Sequence, residues 1–181
     1  LVRSKLSAHQ REASLVKTRA DFMRAAREGD LNTIQSHSFT LSILPDQISV
    51  PLAALKARQG HVVTAMAQGF GDGNDLTKGL AAAAAGMGDE RLLQQAIDSQ
   101  WELEGALTMS AKCGNMTMVE KLLPLLHLHL APEPLASVHA AEQGHADILA
   151  RLKDTPHYAP NEQLIIAAIR GGHLELRNTL A

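Results

Sequence analysis

Aromatic side chains are scarce: Trp, Tyr and Phe together make up 3% of the 181 residues. Strands favour β-branched and aromatic residues, so the shortage argues against a β-rich core. One cysteine, Cys113, excludes an internal disulfide framework and fits a reducing compartment. The formal charge of −2 gives none of the basic excess that nucleic-acid binding requires. No apolar run approaches the roughly 20 residues needed to cross a bilayer. The greasiest stretch, Leu122 to Leu130, is interrupted by Pro124, His127 and His129. No signal-peptide pattern opens the chain. It begins at Leu1 rather than Met, which reads as a fragment of something longer.

What the chain does have is Ala, Leu and a recurring glycine. Apolar residues reach 45%, mostly small or straight-chain types that suit thin helical layers. Gly29, Gly60, Gly88, Gly114, Gly144 and Gly172 follow one another at separations of 31, 28, 26, 30 and 28 residues. A period in this range indicates stacked helical units. Small residues lie three and four positions before most of these glycines, as in Ala25-Ala26, Ala84-Ala85 and Ala140-Ala141. They would let a helix lie close against its neighbours. Glycine itself can take the left-handed conformation that ends a helix. Asp30, Asp89 and Asn115 come next and are good N-cap residues. Apolar residues then return at helical spacing, as in Ile148, Leu149 and Leu152.

Each unit therefore reads as helix, tight turn, helix. The pairs fall at about 11–28 with 30–37, 50–59 with 61–68, and 76–87 with 89–98. They continue at about 102–113 with 115–123, 134–143 with 145–153, and 161–171 with 173–180. Residues up to about 20 read as a polar N-terminal cap that extends the first helix. The repeats then occupy about 21–49, 50–75, 76–100, 101–131, 132–160 and 161–181 of a single domain.

The units resemble ankyrin repeats. Ala140-Ala141-Glu142-Gln143-Gly144-His145, followed by Ala146-Asp147-Ile148-Leu149, is the closest match. Ala25-Ala26-Arg27-Glu28-Gly29-Asp30-Leu31 and Ala168-Ile169-Arg170-Gly171-Gly172-His173-Leu174-Glu175 are two more. The resemblance runs from about Phe22 to Leu180. The spacings are shorter than the usual 33, the Thr-Pro-Leu-His opening is absent, and the finger hairpins are mostly missing. The expected fold is all-α: an ankyrin-like solenoid of about six shortened helix-turn-helix repeats.

The resemblance implies that the first helices line a concave face, with variable positions two and five residues before the glycine. The first set is Arg27, Arg58, Gly86, Lys112, Glu142 and Arg170. From the second set, Arg24, Met109 and His139 are the candidate contacts. Stacking would set the four cations of the first set in a row about 10 Å apart. One reading is a groove for an acidic peptide or surface. The other is that cations favour the negative end of a helix dipole. Trp101, the sole tryptophan, reads as an exposed interface anchor or as a lid over the neighbouring pair. Phe70, in the glycine-rich block Gly69–Asp75, poses the same question.

Chemistry finds little purchase. His127 and His129 are two apart and point different ways on a helix, and no cysteine pair accompanies the nine histidines. The Gly69–Asp75 block lacks the P-loop Lys-Ser/Thr and the acidic spacing of an EF-hand. No nucleophile elbow or triad pattern is present. No metal and no cofactor is therefore expected. The reading is a non-enzymatic, intracellular module that binds a protein partner through its concave face and repeat edges. The alternative is a non-catalytic scaffold or substrate-recruiting region of a larger enzyme or secreted bacterial effector, in which case it would work in a host cytosol. Leu174, Leu176 and Leu180 leave the last unit apolar, so either the array continues or that edge is an interface.

Overall fold

The computed structural model describes residues 8–36, 48–69, 75–103, 105–129 and 134–181. Among them are twelve helices and no strand. In chain order these are α1 (Ala8–Glu28), α2 (Leu31–Ser36), α3 (Ser49–Lys56), α4 (Gly60–Gly69), α5 (Asp75–Met87) and α6 (Glu90–Asp98). They are followed by α7 (Ala106–Cys113), α8 (Met116–His129), α9 (Leu135–Gln143), α10 (Ala146–Leu152), α11 (Asn161–Gly171) and α12 (Leu174–Leu180). The chain divides into two compact units, Leu1–Gly79 and Leu80–Ala181, with the boundary inside α5. No described helix is long and apolar enough to cross a membrane.

The paired pattern has a local cause that recurs at each turn. After α9, the Gly144 amide donates to the Ala141 carbonyl and the His145 amide to the Ala140 carbonyl, at 3.2 and 2.8 Å. Gly114–Asn115 and Gly172–His173 repeat both bonds, the second at 2.9 and 2.8 Å. This two-bond closure satisfies carbonyls that the ending helix leaves without partners, and it requires a left-handed residue at the turn. Gly144 sits at φ +79°, which costs a glycine little and other residues about 1–2 kcal/mol.

The next helix starts at once. The carboxylate of Asp89 accepts from the Leu92 amide at 3.0 Å, and that of Asp30 from the Thr33 amide at 3.1 Å. Asp30 also accepts from the Thr33 hydroxyl at 2.6 Å, and this bond foremost holds its pKa below the ordinary value.

The second pair departs from the glycine register. The turn residue there is Arg58, with φ 59°, and its amide donates to Leu55 while that of Gln59 donates to Ala54. These are the same two bonds, closed two residues before Gly60. Gly60 is instead the first residue of α4. The shift has a packing reason. It places Ala54, fully buried, four residues before the turn, where counting from Gly60 would put the exposed Lys56. Gln100, at φ 56°, closes α6 in the same way, with Trp101 donating to Ala96 at 2.8 Å.

Within Leu1–Gly79, α1 packs against α2 and α3, and α4 against α2 and α3. Within Leu80–Ala181, α9 lies between α7 and α11, while α8 packs against α7 and α10. First helices thus stack on first helices, and second on second. The core of the second unit runs through Leu107, Met118, Leu122, Ile148, Leu152 and Leu164. One difference concerns α8, which continues through Pro124 to His129 where a stop near 123 is expected. Proline removes one helical hydrogen bond but need not end the helix.

Candidate functional site

Neighbouring pairs are joined at their turns by one repeated contact. A polar side chain just after one turn reaches back to the carbonyl two residues before the preceding turn. Gln59 Nε2 donates to the Arg27 carbonyl at 3.3 Å. Asn115 Nδ2 donates to the Gly86 carbonyl, and also to that of Ala85 at 3.1 Å. His145 Nε2 lies 3.3 Å from the Lys112 carbonyl and must carry the proton to bond it. His61 adds a longer contact, 3.4 Å, to the Gly29 carbonyl. At the last step the backbone itself closes the gap. A Cβ on Gly171 would stand 1.9 Å from the Glu142 carbonyl oxygen, so only glycine fits.

These contacts decide the setting of each candidate. Arg27 is exposed and its own carbonyl is one of the anchored groups. Lys112 is half-buried, with its carbonyl anchored by His145. Arg170 is exposed. Glu142 is half-buried and tied to His139, Nδ1 to Oε2 at 3.1 Å. Arg24 is exposed and paired with Asp21 at 2.9 Å. Met109 is half-buried.

Two candidates change, and a third falls outside the described residues. Arg58 is a turn residue, so it does not stand two places before a turn; the exposed Lys56 does. Trp101 is only 6% exposed and is no anchor for a partner, because the closure at Gln100 folds it inward. Phe70 lies outside the described residues, as does most of the Gly69–Asp75 block. The row five residues before the turn is not a continuous surface, since Ala83 and Ala167 are buried.

Of the expected caps, Asp30 and Asp89 do cap their helices, but Asn115 spends its side chain on the neighbouring pair, as Gln59 and His145 also do. The signal was chemical: an N–H donor can bond a carbonyl and a carboxylate cannot.

The described residues hold no grouping of three or more His, Cys, Asp or Glu able to bind a metal. Cys113 is exposed at its surface, yet burial of part of the thiol raises its pKa against the opposing charge of Lys112. That is the reverse of nucleophile activation. Lys121 of α8 pairs with Glu90 of α6 across neighbouring layers; such exposed pairs contribute at most about 1 kcal/mol. An open cleft of about 490 Å³ lies at the last two turns, lined by Gly144, Gly172, His173, Leu174 and Glu175 among others. Comparison of the chain with protein-family models, curated proteins and solved structures returned no match.

Proposed function

We propose that this chain is a non-enzymatic protein-interaction module. In this reading the helical pairs make an ankyrin-like stack that holds an acidic segment of a protein partner. The contacts would fall along the row two residues before each turn. One observation carries the reading: the bonds between pairs end on the backbone of the row residues themselves, Arg27, Gly86 and Lys112. The Arg27 and Lys112 side chains therefore leave from anchored points. A surface set in advance loses little freedom on binding. Arg27 and Lys56 bring positive charge to the row in Leu1–Gly79, Lys112 and Arg170 bring it in Leu80–Ala181, and the Glu142 carboxylate lies against His139. Guanidinium groups suit carboxylates because their fork matches two oxygens.

A peptide-display selection against the immobilised chain tests this. Selected peptides should be enriched in Asp and Glu. Synthetic copies of them should lose about tenfold in affinity to the Arg27→Glu and Lys112→Glu variants, with unfolding midpoints unchanged. Selected peptides without acidic enrichment, or binding both variants as they bind the parent chain, would refute the reading.

A further inference from the structure

The outward side of α11 carries large apolar residues that no described residue covers. Leu164, Ala167 and Ala168 are buried, and Gly171 abuts the Glu142 carbonyl, so one side of the helix is occupied by its own unit. The opposite side is centred on Ile166, 56% exposed, with Ile169 at 52%. Elsewhere in this unit the position of Ile169, three before the turn, holds an alanine that is fully buried, Ala85, Ala111 or Ala141. Ile169 is thus a large apolar residue on a face that the preceding pairs cover.

Charge on this face has a particular symmetry. Glu162 lies four residues before Ile166 and Arg170 four after it. On a helix those offsets put both about 40° from Ile166 in azimuth and about 6 Å to either side along the axis. Both are exposed, and no ion pair among the described residues involves either. A two-fold axis through Ile166 would therefore set each Glu162 against the other copy's Arg170. It would also set Ile166 on Ile166, with the two helices crossing so that their i±4 rows align. Parallel pairing would instead oppose like charges.

We propose that two copies of this chain associate antiparallel through the α11 face, in an isologous contact with Ile166 on the two-fold axis. Head-to-tail stacking fits less well. It would bring the Ile face onto the first pair, whose described outward residues include Arg19, Arg24, Arg27 and Glu28. Asp30 there is an acceptor already bonded to Thr33 and cannot donate to a carbonyl as Gln59, Asn115 and His145 do. One helix face buries little area, so the contact is weak and concentration-dependent.

Sedimentation equilibrium of the purified chain, from about 5 to about 500 µM, spans the affinities such a contact would have. The apparent mass should rise from 19.4 kDa towards twice that value. Ile166→Glu should stay monomeric throughout. Glu162→Lys and Arg170→Glu should each weaken association by about tenfold or more, since each sets two like-charge contacts across the axis. The double variant, Glu162→Lys with Arg170→Glu, should recover the parent's association, because the exchange restores complementarity. All three positions are exposed, and a circular dichroism spectrum and unfolding midpoint confirm the fold of each variant. A parent chain that remains monomeric, an Ile166→Glu variant that dimerises normally, or a double variant no better than the singles would each overturn the proposal.

Discussion

The pairs α9–α10 and α11–α12 are nearly alike in sequence and opposite in burial. Both read as small residues, glycine, histidine, then an apolar second helix. In α10, Ile148, Leu149 and Leu152 are all buried, whereas α12 has no buried residue at all. Ala141, before the turn in the first pair, is fully buried; Ile169 at the same place in the second is half in water. The difference comes from neighbours. The α9–α10 pair is flanked by α7 and α8 on one side and by α11 on the other. One helical pair cannot cover its own apolar face, so burial here belongs to the stack and not to the repeat.

Truncating the apolar second helices would break this comparison most sharply. Ile148→Ala should cost about 2–5 kcal/mol in urea unfolding, the usual range for a filled core site. Leu176→Ala, at the partly exposed equivalent in α12, should cost under about 1.5 kcal/mol because water already reaches it. Equal losses would mean that burial does not separate the two pairs.

The turns offer a finer contrast. Gly144 and Gly172 share a left-handed backbone, φ +79° and +82°. A Cβ on Gly144 would meet the His173 ring at 2.6 Å, while one on Gly172 meets nothing within 4 Å. Gly172→Ala should therefore cost only the conformational penalty of about 1–2 kcal/mol. Gly144→Ala should cost that and about 1 kcal/mol more, as the ring is forced off its seat. Thermal unfolding of the two variants reads the difference directly.

The smallest effect tests the displaced turn of the second pair. Arg58→Gly should be neutral or stabilising by up to about 1 kcal/mol, since it relieves a left-handed arginine. Lys56→Gly should destabilise by up to about 1 kcal/mol, because it places glycine within α3. The reverse order in chemical denaturation would return the turn to Gly60.

Much of the fold was legible because turn chemistry is local. The all-helical class followed from the composition and from apolar residues at helical spacing. Five of the six regularly spaced glycines do end helices, and Asp30 and Asp89 do cap the next ones. Gly60 misled because a glycine can also open a helix, and nothing local told it from a turn residue. The buried Ala54 decided the matter, and its burial is a fact of packing. Trp101 was ambiguous for the same reason: a large side chain after a turn can face water or the core, and here the closure at Gln100 turns it inward. In the candidate row, the positions of Arg27, Lys112 and Arg170 were legible from the repeat. The bonds that anchor two of them were not, since each joins residues 32 or 33 positions apart.

By itself, then, the chain's order of residues settled where most of its helices stop and start, because each stop depends on a few adjacent backbone groups and on what a Cβ permits. Tertiary structure alone decided which of those helices are covered and where the second turn falls. Those outcomes depend on surfaces contributed by segments about thirty residues away, which no local pattern encodes.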